Sequence, residues 1–418
     1  MSFQTLSILL NILFIVGGLM TLYSLYFFII AFFGFKKRKV PPAAPATTRF
    51  AVVVAARNEA AVIGQLVDSL ANLNYPKDMY DIIVAPNNCT DDTEAIAAWH
   101  GANIFHPEGP ISCKGQVLAQ ISDQIIKTRS HDAICVFDAD NLVHPDFLQR
   151  MNDARAQGFK VAQGFRDSKN PADTVVSTCY SVTYWIVNRF YNGGREALGL
   201  SGLVNGSGFM VCVDLLEKLG GFRTSTMTED YEFSAQCVLH GEKVHYVHEA
   251  IIYDEQPLTF FQSWKQRRRW STGNVQGMEL YAGGLLRTAI KRRCWVCFDM
   301  ALTYLTPIIQ LVSLVLGAAS AVLAAYRIFE FDMMPVTQVL MLVILAAVGA
   351  MVFCSFVAAL VVWLDRASFK GTVKGILLFA LFILSSLPIS IISLFRKQKV
   401  WEATAHTRAM ALSDMTKR

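Results

Sequence analysis

A chain of 418 residues that is 53% hydrophobic and 17% charged is too apolar for one ordinary soluble domain and too polar for membrane helices alone. Its formal net charge of +5 calls for no nucleic-acid partner, because the basic residues cluster beside apolar segments. The 9 cysteines are scattered through apolar stretches as packing thiols of a reducing compartment, and the lone CxxC, Cys294 and Cys297, has no second pair to complete a metal site.

In chain order, Leu6 to Phe35 is free of charge and long enough to cross a bilayer with some tilt. A signal peptide would have a shorter apolar core behind a positive stretch. The run Lys36-Lys37-Arg38-Lys39 predicts an outside N-terminus and a cytoplasmic segment after it. A Pro- and Ala-rich linker, Val40 to Thr48, leads into a soluble texture. Phe50 to Ala55, Tyr80 to Ala85 and Ala133 to Phe137 are apolar runs of buried-strand length, alternating with helical stretches at about 60–73 and 92–100. This alternation predicts a parallel sheet, with ligands beyond the strands' carboxyl ends. Arg57-Asn58-Glu59, Asn87-Asn88 and Asp138/Asp140 all fall at such ends.

Thr178 to Arg195 and Phe260 to Arg293 mix aromatic, aliphatic and basic residues, as helices lying in a membrane interface do. Trp295 to Ala325, Val336 to Leu364 and Val373 to Phe395 are each long enough to span. Three such spans would leave the basic tail (Arg396, Lys397, Lys399, Arg408, Lys417, Arg418) outside. A re-entrant last segment, broken at Pro388, would instead return it to the cytoplasm. Ser313, Ser320, Thr303 and Trp363 are candidate linings of a polar route through the bilayer. The resulting division is an N-terminal helix and basic flank (1–39), an α/β domain (49–257), interfacial helices (258–293), C-terminal helices (294–395) and a basic tail (396–418).

Three motifs carry chemistry. Asp138-Ala139-Asp140 closes a buried strand, where two carboxylates suit one divalent cation, or a structural strand end. Thr228-Glu229-Asp230 precedes a helical stretch and reads either as an N-cap with an acidic first turn or as a carboxylate placed to take a proton. Gln266-Arg267-Arg268-Arg269-Trp270 puts Gln266 and Arg269 on one helical face, suited to a diphosphate or to lipid headgroups.

The ordered set AARNE, NxCTD, KG, DAD, NGSG, TED and QRRRW, over roughly Phe50 to Gly277, resembles the processive family-2 glycosyltransferases: cellulose, hyaluronan, chitin-oligosaccharide and mixed-linkage glucan synthases. The resemblance implies a Rossmann-like GT-A domain, α/β and cytoplasmic, inserted between transmembrane helices of the plasma membrane with amphipathic interface helices. It implies donor binding by Arg57, Asn58, Glu59, Lys114, Asp138, Gln266 and Arg269, with Asn87 standing where an aspartate usually contacts the base. Asp138 and Asp140 would hold Mg²⁺ or Mn²⁺, with Asp140 the direct ligand. Gly206, Ser207, Gly208 and Trp270 would meet the acceptor, and Asp230 would be the base beside Glu229 and Thr228. The implied reaction is single displacement from a UDP-sugar onto a growing polysaccharide, a β-glucan from UDP-glucose first, with the bilayer as host. Alternatives are an N-acetylglucosamine- or hyaluronan-type polymer, one sugar added to a lipid carrier, or a channel with an inactive domain. The sequons at Asn88 and Asn205 are discounted on a cytoplasmic domain, no regulatory β-barrel is expected in the tail, and a secretion partner stays unidentified.

Overall fold

The computed structural model describes residues 3–331, 335–396, 398 and 408–415; Lys397, Lys399, Lys417 and Arg418 of the basic tail lie outside the described residues. Its strands are β1 (Phe50–Ala56), β2 (Tyr80–Pro86), β3 (Asn103–Ile104), β4 (Ala133–Asp138), β5 (Leu142–Val143), β6 (Val161–Ser168), β7 (Phe209–Cys212) and β8 (Val244–Asp254). Among the described residues they form one sheet in the order β3-β2-β1-β4-β7-β6-β8-β5. The three apolar runs form β1, β2 and β4, because both sheet faces are covered and every position of a run is buried or nearly so. The sheet is nevertheless mixed, not parallel: β7 runs antiparallel between β4 and β6, and β5 is antiparallel to β8. The expectation fails where simple strand–helix alternation ends, since β6 leads into a helical stretch, 175–198, before the chain returns as β7.

The helices, in order, are α1 (Phe3–Phe32), α2 (Ile63–Ala71), α3 (Thr93–Trp99), α4 (Lys114–Thr128), α5 (Phe147–Ala156), α6 (Val175–Ile186), α7 (Gly194–Leu198), α8 (Val213–Leu219), α9 (Glu229–Leu239), α10 (Phe260–Gly277), α11 (Gly283–Arg292), α12 (Trp295–Tyr304), α13 (Thr306–Phe331), α14 (Val336–Leu364), α15 (Val373–Leu384), α16 (Ser386–Phe395) and α17 (Leu412–Met415). Side chains of α2, α3 and α5 pack on one sheet face with Val52, Val54 and Phe137. Those of α4, α8 and α9 pack on the other with Val53, Val136 and Phe209.

Among the described residues four helical segments are long and apolar enough to cross a membrane: Ile8–Phe35, Thr306–Tyr326, Val336–Leu364 and Val373–Phe395. The expected span beginning at Trp295 is corrected. The helix breaks at Leu305, and Cys297, Met300, Ala301 and Tyr304 pack beside Ala235 and Val238 of α9 and Leu285 and Ala289 of α11. A buried Arg195–Asp299 ion pair (2.9 Å) fastens α12 to α7, which hydropathy alone does not register. The last segment does break, at Ser385 between α15 and α16. Its start lies on α6, where a Cβ at Gly375 would meet Thr178, and beyond its end the Gln398 amide donates to Thr272 of α10. Ser313, Ser320 and Trp363 are exposed and line no cavity below, while Thr303 does.

Candidate active site

Two loops after parallel strands border the first cavity. Asn58, in left-handed backbone at φ 57°, accepts from the Thr90 amide (2.8 Å), and the Glu59 amide donates to Thr93 (2.8 Å). The loop after β1 is thereby locked to the loop after β2. Asn87 donates to the carbonyl at the end of β1 (3.1 Å). Arg57, Glu59, Asn87, Lys114, Asp138, Asp140, Gln266 and Arg269 then line one cavity of about 130 Å³. Asn58 does not; its side chain is spent on the loop.

Ligand atoms of Asp138, Asp140 and Asp254 lie within 4.8 Å of one another. Three hard carboxylate donors at that spacing fit Mg²⁺ or Mn²⁺. Asp254 was not singled out from sequence, although it ends β8 as Asp138 ends β4. Burial, with Asp140 and Asp138 nearby, raises its pKa despite the opposing Arg166. Arg166, also missed, donates to Asp254 from Nε (3.0 Å) and Nη2 (2.6 Å) and to the Asn205 carbonyl (2.5 Å). It lines both this cavity and the next.

The second cavity, about 570 Å³, shares Lys114, Asp138, Arg166, Gln266 and Arg269 with the first. It adds Glu229, Asp230, Gly206 and Trp270, and reaches Thr306 and Gln310 of α13 and Ser386 and Ser390 of α16. Asp230 is the second residue of α9, and burial first, then the Glu229 carboxylate, pushes its pKa up to about 7. A carboxylate held near neutrality is suited to proton transfer. Gly206 needs its φ of +79°, and a Cβ there would stand 3.2 Å from Asp230 Oδ2. Trp270 sits against Tyr180 (5.8 Å) and Tyr184 (6.2 Å).

Of three other expected site residues, Ser207 and Gly208 line neither cavity and support them from behind, while Thr228 lines the second. Ser207 is buried and accepts from the Asp138 amide (3.0 Å), fixing the DAD turn. Gly208 sits in the ladder, donating to Val136 (2.8 Å), where a Cβ would collide with Ile252. Thr228 occupies the N-cap position of α9 without a side-chain capping bond. Its side chain also lines the second cavity and packs on α10, where a Cβ at Gly273 would come within 2.2 Å of it.

Residues 45–273, more than half of the chain, match a family model described as "Glycosyltransferase like family 2". The chain is 28% identical over 266 residues to the probable glycosyltransferase YdaM of Bacillus subtilis, covering 61% of this chain and 62% of that protein. It is 28% identical over 239 residues to a beta-monoglucosyldiacylglycerol synthase of Synechocystis, covering 54% and 47% respectively. The matches thus span less than two thirds of either relative. The mannosyltransferase PcManGT of Pyrobaculum calidifontis, solved with GDP-Man and Mn²⁺, aligns over 93% of this chain and 99% of its own at TM-score 0.59 and 16% identity, a likeness of fold.

Proposed function

This chain belongs to glycosyltransferase family 2, and from that premise we propose that it is an inverting transferase that lengthens a β-linked glycan from a UDP-hexose, glucose first. The observation that carries this reading is that Asp230 and Trp270 share one cavity with Gln310, Ser386 and Ser390 of the apolar helical segments. Polar side chains on membrane helices are costly toward lipid and mark substrate routes. Tyr180, Tyr184, Tyr191, Tyr231 and Trp270 add rings on which sugar faces can stack.

In this reading the donor diphosphate lies among Lys114, Arg269 and the three aspartates. A divalent cation held by Asp138, Asp140 and Asp254 would supply positive charge for the departing diphosphate. Asp230 takes the proton of the acceptor hydroxyl as its oxygen bonds to the anomeric carbon. The bond from that carbon to the diphosphate oxygen breaks, and its electron pair leaves with UDP. Attack from the opposite face converts an α-linked donor into a β-linkage. Gln266 and Arg269 line both cavities, so one helix touches leaving group and acceptor space together.

We read α1, α13 and α14 as spans and α15–α16 as re-entrant, since Gly375 lies on α6 and Gln398 on α10. The catalytic domain and the tail then share the cytoplasmic face of the plasma membrane, as the basic flanks require. A second reading, one hexose placed on a lipid headgroup, is favoured by Phe382, Ile383 and Ile389 in the same cavity wall. The activity named for the Synechocystis relative fits it as well.

The test is nucleoside-diphosphate release by the detergent-solubilised protein with Mg²⁺ or Mn²⁺. UDP-glucose, UDP-N-acetylglucosamine, UDP-glucuronate and GDP-mannose are each supplied singly, then in pairs. UDP release with UDP-glucose and a product digested by a β-glucanase is expected. A lipid carrying a single sugar would replace the first reading by the second, and no release from any donor would overturn both.

A further inference from the structure

Arg267 lies between Gln266 and Arg269 in sequence, yet its hydrogen bonds go to a different part of the molecule. Its Nη1 donates to the Phe382 carbonyl (3.1 Å), Ser385 Oγ (2.8 Å) and Ser386 Oγ (3.0 Å). Ser385 and Ser386 form the break between α15 and α16, and Phe382 lies in the last turn of α15 before it. The guanidinium also stands 4.3 Å from the Phe382 ring and 5.6 Å from the Phe260 ring.

The residue is 7% exposed, and among the described residues no carboxylate pairs with it; its Nε and Nη2 meet no hydrogen-bond acceptor there. A buried cation without a counter-charge is expensive, so an apolar residue would serve better if packing were all that position required. What the arginine does supply is a donor to the Phe382 carbonyl in the last turn of α15, beside the Ser385 hydroxyl that also donates to it (2.6 Å), and to the two serine hydroxyls of the break. Pro388, three residues past the break, has no amide hydrogen to offer that turn.

The break it holds is part of the reactive cavity. Phe382, Ile383, Ser386 and Ile389 line the space that also contains Asp230 and Trp270. We propose that Arg267 is a positioning residue of the acceptor site. It ties the α15–α16 break to α10, so that the wall facing the acceptor is set by the same helix that presents Gln266 and Arg269 to the donor. This rests on the reading above that the larger cavity holds the acceptor.

The experiment uses the full chain in lipid nanodiscs, as Arg267→Gln, Arg267→Lys and the double variant Ser385→Ala/Ser386→Ala. UDP-glucose affinity, UDP release to water and the KM for a short β-glucan oligosaccharide are measured, with diacylglycerol in the nanodisc as a second acceptor arm. For Arg267→Gln, donor affinity and release to water should stay within about twofold of the parent, while the KM of the acceptor that the parent uses rises about tenfold. The double serine variant should show the same split at smaller amplitude, because it removes two of the three bonds and leaves the cation and its bond to the Phe382 carbonyl in place, and Arg267→Lys should recover part of it. An unchanged acceptor KM in both Arg267→Gln and the serine variant would overturn the proposal. A parallel loss of donor affinity, release and thermal stability would overturn it too, as the mark of a purely structural role. Transfer by the parent to neither acceptor would instead bring down the reading of the cavity itself.

Discussion

Lys114 and Asp138 are ion-paired inside the smaller cavity, Nζ to Oδ1 at 2.6 Å, and the same ammonium donates to the Gly206 carbonyl at 2.7 Å. Burial opposes the charge on Lys114, but Asp138 and Glu229 outweigh it and raise its pKa. A cation approaching Asp138 therefore competes with an ammonium already there. Lys114→Met should tighten Mn²⁺ binding without nucleotide by up to about tenfold, while lowering kcat/KM for the donor by at least as much. Paramagnetic titration of bound Mn²⁺ checks the first and UDP release the second; unchanged Mn²⁺ affinity would show that the pair does not compete.

As the proposed base, Asp230 should set the acid limb of the pH profile. Burial and Glu229 lift it from its ordinary 3.8 to about 7, and only the ionised form accepts a proton. Activity should therefore rise with pH through neutrality and then level off, and Asp230→Asn should lose about 10²- to 10⁴-fold in rate with donor affinity retained. The stability consequence has the opposite sign. A carboxyl whose folded pKa lies above its unfolded one stabilises the fold when protonated, and that contribution disappears as pH rises from about 4 to about 7. Asp230→Asn should melt higher than the parent at pH 8 and level with it at pH 4; a constant difference across that range would refute the raised pKa.

Much of the candidate site's placement was legible because its signals are local. A fully buried strand shows itself as an unbroken apolar run, and the residue that ends it must sit at the sheet's ligand edge, which is how Asp138, Asp140 and Asn87 are found together. Asp254 and Arg166 were missed because they are brought together by pairing between β6 and β8, where Ser168 faces Asp254 across residues far apart in sequence. Helix lengths near the membrane failed for a related reason. Hydropathy counts Trp295–Tyr304 as apolar, but its depth is decided by Asp299 meeting Arg195 and by Tyr304 donating to the Tyr231 carbonyl. Thr228 reads as a cap from its residue type, and only the helix packed on it shows that its side chain does no capping.

Gly206 should be the most sensitive glycine for catalysis. Alanine there must hold a φ of +79° and place its methyl 3.2 Å from Asp230 Oδ2. The backbone alone costs about 1–2 kcal/mol, and relief comes most cheaply by moving the loop away from the base. Gly206→Ala is expected to reduce kcat about tenfold or more with little change in donor affinity. Equal kcat in the two proteins would mean that the loop does not fix the base.

The remaining prediction concerns how the membrane helices are mounted. Arg195 and Asp299 are each 1% exposed, joined Nε to Oδ2 at 2.9 Å and Nη2 to Oδ1 at 3.1 Å, and Tyr26 of α1 donates to the same carboxylate at 3.0 Å. The carboxylate thus links the N-terminal helix, the short helix α7 and α12, which packs on the helix that carries Asp230. Asp299→Asn leaves a buried guanidinium with a neutral partner and should cost about 3–5 kcal/mol. Arg195→Met combined with Asp299→Leu removes both charges and should cost clearly less, because only packing and the Tyr26 bond remain to be lost. Thermal unfolding of the three proteins in nanodiscs separates the cases. If the single variant unfolds no earlier than the double one, the pair is a passive contact and the anchoring of α1 comes instead from the Tyr23 hydroxyl on Leu302 and Thr306 and from the aromatic packing of Tyr26 on Trp295 and Phe298.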